Sequence, residues 1–243
     1  MTVQEKQELA LRIRNVRERI ERAAQAAGRD ASEIHLVAAT KMNDAERVKY
    51  AISCGIHIAG ENRVQELLDK YDQHAYDGAD LQFIGTLQTN KVKYLIGKVS
   101  LIQSVGSIRL GEAIAKEAAK HSLRQDILLE VNIGREEAKS GLLPEELDAA
   151  VCHLCENPAL HIRGLMAIPP IADQTTKNLS YFHEMHQLFV DILTKKYDNV
   201  NMDYLSMGMT NDFETAIACG ANMVRIGTAI FGARLYGAAQ QKA

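Results

Sequence analysis

The sequence predicts a (β/α)8 TIM barrel preceded by one extra helix, forming a single domain over residues 1–243, and three observations carry that expectation. Short apolar runs of the kind that form buried parallel strands occur eight times along the chain. Helical segments separate them, at a mean spacing of roughly 25 to 30 residues. Small and polar residues gather where the runs end, and in such barrels the strand ends carry the chemistry. A doubly wound open sheet is the alternative that the same alternation allows.

Composition narrows the function. The 243 residues are 47% hydrophobic, enough for one sizeable core. Lys and Arg number 28 against 31 Asp and Glu, a formal net charge of −3 with no long block of like charge. That balance argues against a nucleic-acid or membrane surface as partner. No apolar run approaches the ~20 residues of a membrane helix, and the N-terminal MTVQEKQELALRIRN lacks the apolar centre of a secretory signal, so a cytoplasmic protein is expected. Four cysteines in a chain of this length make no disulfide framework. Cys152 and Cys155 form a lone CxxC within a helical stretch and read as part of a helix face. His183 and His186 are three residues apart rather than the four of a zincin helix, and read as solvated.

The elements follow in order. Gln4 to Ala27 is amphipathic, with Leu9, Ile13, Val16 and Ile20 at three- and four-residue steps and Gly28 as its stop. The first strand is Ile34 to Lys41, IHLVAATK. Asn43 then starts a helix, with Glu46 three residues on as a capping box, running to Cys54. Strands are next predicted at Ile56 to Ala59, Leu81 to Gly85, Leu101 to Val105, Ile127 to Ile133, Ile162 to Ile168, Tyr204 to Gly208 and Met223 to Thr228. The helices between them are predicted at Asn62 to Gln73, Thr89 to Ile96, Ser107 to His121, Pro144 to Glu156, Thr175 to Tyr197 and Asn211 to Cys219.

Two strand ends carry chemical meaning. Lys41 closes the first strand. Such a lysine either snorkels to solvent or, held among barrel side chains, loses hydration, has its amine pKa lowered and attacks an aldehyde to form a Schiff base. Ser206 to Asp212 breaks from a strand into a small-residue loop and enters a helix, with Thr210 or Asn211 as N-cap, a geometry that cradles anions. Gly227 and Thr228 end the neighbouring strand, and phosphate groups dock after strands seven and eight of such barrels. The same glycines and caps also serve simply to turn the chain.

The motifs AATK, AGEN (Ala59 to Asn62), FIGTLQTNK (Phe83 to Lys91), KSG (Lys139 to Gly141), RGLMAI (Arg163 to Ile168), SMGMTND (Ser206 to Asp212) and VRIGTAIFG (Val224 to Gly232) together resemble the YggS/PROSC family of pyridoxal phosphate homeostasis proteins. That family is similar to the barrel domain of alanine racemase. The resemblance runs from about Ile34 to Arg234 and covers the strand-end motifs in order. It implies that Lys41 carries pyridoxal 5′-phosphate (PLP) covalently, as an internal aldimine. Ser206, Gly227 and Thr228 would then bind the phosphate, helped by N–H groups near Met207 and Gly208. Asn62 and Met166 would flank the ring, and Arg225 would face the pyridine nitrogen. An arginine there disfavours a protonated ring nitrogen and makes the cofactor a poorer electron sink.

The sequence departs from the family pattern at Met42 and Asn43, where many members carry a second lysine two residues after the first, and at Thr86, where histidine or proline is frequent. Lys139 is retained, and its other reading is a solvated loop lysine beside Glu136 and Glu137.

The implied function is a non-catalytic PLP-binding protein that holds, buffers or delivers the cofactor, acting as a monomer with PLP-dependent apoenzymes as acceptors. An amino-acid racemase is the alternative. It needs a second acid/base on the opposite face of the cofactor, which alanine racemase takes as a tyrosine from a separate β-domain. The sequence ends shortly after Gly232, so no such domain is expected, and Tyr236 in the tail is a poor substitute. A class I aldolase-like barrel accounts for the lysine and the anion cradle but not for Arg225 or the ordered motifs.

Overall fold

The computed structural model describes residues 1–170 and 175–232. Eight parallel strands close into a barrel in chain order: β1 (His35–Ala39), β2 (Ile58–Glu61), β3 (Asp80–Phe83), β4 (Leu101–Val105), β5 (Gln125–Val131), β6 (Leu160–Ala167), β7 (Val200–Ser206) and β8 (Met223–Ile226). The alternative of an open sheet is excluded, because β1 pairs with β8 and leaves no edge. Around the barrel run α1 (Val3–Ala26), α2 (Ala45–Ser53), α3 (Val64–Tyr71), α4 (Ile108–Lys120), α5 (Leu147–Cys155), α6 (Thr175–Lys195), α7 (Phe213–Ala218) and α8 (Thr228–Phe231). No helix among the described residues is long and apolar enough to cross a membrane. Tyr236 lies outside the described residues.

The extra helix is present and its sequence explains it. Thr2 and Glu5 form a capping box at the start of α1, and Gly28 (φ 68°) follows its C-cap. Leu9, Ile13, Val16, Ile20 and Ala24 are buried on one face. They pack with Phe213 and Ile217 of α7, Ile230 of α8 and the outward residues Ala38, Val224 and Ile226 of β1 and β8. Burying each large aliphatic side chain contributes about 1.5–3 kcal/mol, so α1 is the cover that β1 and β8 need on their outer face. A second apolar core fills the space between β2–β7 and their helices.

Several boundaries differ from expectation. The helix expected at Thr89 to Ile96 is a 3-10 helix, Thr89–Tyr94. The cap of α2 is Asp44, whose carboxylate accepts from Arg47 N–H, and Asn43 instead donates its side-chain amide to Lys41 O at 3.0 Å. Likewise α7 begins after Asp212 rather than after Thr210 or Asn211, and Asp212 Oδ1 accepts from Met209 N–H at 2.7 Å. The helix α8, directly after β8, is additional to the predicted set.

The barrel interior is only partly apolar. Val37, Ala39, Ile84, Leu101, Leu128, Met166 and Met223 form its apolar part. Through it runs a chain of hydrogen bonds with one direction, buried except at its Asp80 end. Arg225 Nη1 donates to Ser206 Oγ (2.5 Å), Ser206 Oγ to Gln103 Oε1 (2.7 Å), Gln103 Nε2 to Gln82 Oε1 (2.6 Å) and Gln82 Nε2 to Asp80 Oδ2 (2.9 Å). A cation stands at one end and a carboxylate at the other, which polarises every bond between them in the same sense.

Candidate functional site

The register of the barrel seam places the central residues. Ala38 pairs with Ile226, so the next residues, Ala39 and Gly227, come side by side as both strands end. A cavity of about 280 Å³ opens there, lined by Ala39, Lys41, Met42, Asn43, Asp44 and Arg47 from one strand end and Gly227, Thr228, Phe231 and Gly232 from the other. Its volume is close to the ~300 Å³ lower bound for small-molecule sites. Lys41 is half-buried at its wall. A Cβ at Gly227 would come no nearer than 3.4 Å to Ala39, so local packing tolerates a side chain there and the glycine's effect is to keep the space between Lys41 and Thr228 clear.

Thr228 opens α8, where the Ile230 N–H already turns back to Gly227 O at 2.9 Å. Ala229 N–H finds Thr210 Oγ1 at 3.4 Å, which brings the Ser206 to Asp212 loop against α8. Thr210, expected as a candidate N-cap of the helix after its own loop, thus meets the start of α8 instead, and Arg47 is a cavity residue that the sequence reading did not name. Arg47 is pinned across the cavity wall by Glu5 of α1 at 3.1 Å, a partner 42 residues away that no local pattern announces.

The other expected residues are distributed as follows. Asn62 directly follows β2, donates its N–H to Glu61 Oε2 at 3.2 Å, and has its side-chain Oδ1 buried without a protein partner. Its backbone lies so close to Gly85 that a Cβ there would sit 2.1 Å from Asn62 O. Met166 is fully buried within the barrel. Ser206 is also fully buried, and its hydroxyl is committed to Gln103 and Arg225. Met207 packs outward into the helix layer, and its N–H donates to Met223 O at 3.1 Å. Gly208 adopts φ 92° against α7, where a Cβ would meet Ala216 Cβ at 2.6 Å. Lys139, expected either in the site or as a loop lysine, is exposed and ion-paired with Glu136.

Arg225 is 4% exposed, donates to Ser206 and to Ala167 O at 2.9 Å, and faces no carboxylate at ion-pair distance among the described residues. Burial pulls its guanidinium down to about 10, against the pull of Glu130 and Asp212, so it stays charged at neutral pH. Burial conversely pushes the Glu130 carboxyl up, opposed by the Ser140 hydroxyl and Arg225. Asn62, Met166, Ser206 and Arg225 are not among the residues lining the cavity, and the Lys41 amine and the Thr228 hydroxyl and peptide N–H beside Gly227 make up its donor set. That set fits a small anion-bearing carbonyl compound.

Comparison with known proteins gives this arrangement a family. The model of the alanine racemase N-terminal domain matches residues 11–235. A protein of Aquifex aeolicus named pyridoxal phosphate homeostasis protein is 45% identical over 227 residues, 93% of this chain and 98% of the relative. The chain belongs to the pyridoxal phosphate homeostasis family, within the alanine racemase N-terminal domain fold. A solved structure from Bifidobacterium adolescentis superposes with a TM-score of 0.90 at 33% identity, covering 95% of this chain and 97% of that one. PipY of Synechococcus elongatus, solved with PLP bound, superposes with a TM-score of 0.76 at 27% identity, covering 88% of this chain and all of PipY.

Proposed function

We propose that this chain binds PLP through Lys41 and holds it for release to PLP-dependent apoenzymes, as a cytoplasmic, monomeric protein with little catalytic activity of its own. The observation that carries the reading is the seam cavity, where a half-buried amine and a glycine–threonine helix start face one space. When bound, PLP supplies an aldehyde and a phosphate ester on one small ring. Lys41 Nζ would be the amine that holds the aldehyde. The Thr228 hydroxyl and peptide N–H, with Gly227 leaving room and Met207 and Gly208 shaping the adjoining loop, would receive the phosphate. Arg225, held by the Ser206 hydroxyl, would face the ring nitrogen, and Asn62 and Met166 would flank the ring.

Two features support weak catalysis. Arg225 is a fixed cation where carbanion chemistry favours a carboxylate that accepts from a protonated ring nitrogen. Among the described residues lining the cavity, the ionisable groups besides Lys41 are Asp44 and Arg47, and both are engaged: Asp44 caps α2, and Arg47 pairs with Glu5. No second acid/base is therefore poised there as a racemase requires.

Borohydride reduction of the PLP-treated protein, followed by peptide mass mapping, tests the reading. A phosphopyridoxyl group on Lys41 is expected, with none in Lys41→Ala, whose circular dichroism should match the parent. A colourless, unmodified protein would remove PLP from the account and leave a cofactor-free Schiff-base lysine as the alternative. Assays for racemase and decarboxylase turnover then separate carrier from enzyme.

A further inference from the structure

Outside the barrel wall, between β2, α3 and the turn that carries Lys41, lies a charged cluster that the cavity does not include. Glu61 is fully buried and Lys70 is 5% exposed. Lys70 Nζ donates to Thr40 O at 2.8 Å, to Glu61 Oε1 at 2.5 Å and to Glu66 Oε1 at 2.7 Å. An ammonium has three hydrogens, so each one is placed. Glu61 also accepts from Thr40 Oγ1 at 2.7 Å, from the Tyr76 hydroxyl at 3.2 Å and from Asn62 N–H at 3.2 Å. Glu66 accepts the N–H of Met42. The peptide carbonyl before Lys41 and the peptide N–H after it are thus gripped by the same network.

Met42 stands at φ 61°, a left-handed conformation that an unbranched but bulky residue keeps only when its surroundings hold it. A buried ion pair is a weak source of stability, because desolvation offsets its attraction, and apolar residues of the same volume often serve as well. What it supplies instead is geometry. Burial and the adjacent Glu61 push the Tyr76 phenol far above its ordinary range, which keeps it a hydroxyl donor to the carboxylate.

We infer that Glu61, Glu66 and Lys70 are positioning residues that clamp the turn bearing Lys41, holding its amine at the cavity wall, while the same three bonds withhold Lys70 from aldehydes. The inference rests on the reading of Lys41 as the cofactor's amine. One carboxylate, Glu61, also orients Asn62 through its N–H, so two strand ends are set by a single buried group.

Glu66→Gln is the first variant, because Glu66 is partly exposed and the Lys70–Glu61 pair survives its loss. The double variant Glu61→Gln/Lys70→Met removes the buried pair together and leaves as its one remaining charge the partly exposed Glu66. Three readouts apply to each: hydrogen exchange at the Met42 amide, the rate of Lys41 acetylation against pH in protein free of cofactor, and affinity for PLP compared with pyridoxine 5′-phosphate, which has an alcohol in place of the aldehyde. In Glu66→Gln, Met42 exchange should rise about tenfold, the acetylation profile of Lys41 should shift, and PLP affinity should fall about tenfold, with pyridoxine 5′-phosphate unchanged. The double variant should repeat this with larger amplitude.

Unaltered Met42 exchange and Lys41 acetylation in both variants would overturn the clamp whatever the cofactor does. Acetylation of Lys70 as fast as Lys41 in the parent protein would overturn its withholding. Failure of the parent to bind either compound would instead overturn the cofactor reading, and exchange and acetylation would still decide the clamp.

Discussion

Two arginines inside the barrel wall do opposite work. Arg163, in β6, bonds Asp126 and Asp203 on the neighbouring strands and lies over the Tyr204 ring. His161 reaches the same Asp126 at 3.0 Å. Burial would lower the Arg163 guanidinium, but its bonds to Asp203 and Asp126 outweigh that and raise it. Arg225, in β8, has carbonyl and hydroxyl acceptors in place of carboxylates, and burial wins. The same side chain is a staple where its charge is matched and a poised cation where it is not. This is the division between the stability face and the chemical face of such barrels.

The comparison breaks first at the arginines themselves. Arg163→Met leaves Asp126 and Asp203 close together without their shared cation and should cost about 2–3 kcal/mol, several degrees in Tm, with phosphopyridoxyl labelling of Lys41 retained. Arg225→Met removes a desolvated charge, so its Tm should move less, while PLP retention under dilution falls at least about tenfold. Thermal melts and retention measured on both variants decide it. Parallel losses in both quantities would abolish the distinction.

A narrower contrast lies between the hydroxyls of Ser206 and Thr228. Thr228→Val should weaken PLP retention by about 1 kcal/mol at unchanged Tm, through loss of a phosphate hydrogen bond. Ser206→Ala strips Gln103 of its donor and Arg225 of an acceptor, and should lower stability by about 1–2 kcal/mol, affecting retention only through Arg225. If Ser206→Ala lowers retention with no change in Tm, its hydroxyl turns to the phosphate in the bound state.

These cases show what could be read from the sequence. Lys41, Gly227 and Thr228 end strands that are neighbours across the barrel seam, so a strand-end reading brings them together once closure is assumed. Ser206 and Met207 needed the register. β7 starts at Val200, not Tyr204, and alternation sends Ser206 into the barrel and Met207 out to the helices. Gln82 and Gln103 were visible as lone amides inside apolar runs, a signal of a buried hydrogen-bond chain that periodicity does not score. In sequence Lys70 is one more helix lysine four from Glu66, and only the fold brings it to Thr40, 30 residues earlier. The exchange of Asn43 for Asp44 as cap has a similar cause. Both residues can cap, and the turn after Lys41 decides which one reaches the helix.

The smallest effect sharpens the role of the Arg225 surroundings. Burial raises the Glu130 carboxyl above its ordinary 4.5, so the folded chain binds this proton more tightly than the unfolded chain does. Between 4.5 and the raised folded value the folded state therefore carries more protons, and stability declines as pH rises through that window. The penalty is complete above the raised folded value and absent below the unfolded one. Glu130→Gln keeps an acceptor for the Ser140 hydroxyl, now at 3.2 Å from Glu130 Oε2, and removes the buried charge. It should stabilise the protein by about 0.5–1 kcal/mol at pH 7 and lose that advantage in acid. Denaturant melts of both proteins from pH 4 to pH 8 measure the difference. A destabilised variant at neutral pH would mean that the attraction between Glu130 and Arg225 exceeds the cost of burying the carboxylate, and Arg225 would then be a matched charge after all, as Arg163 is.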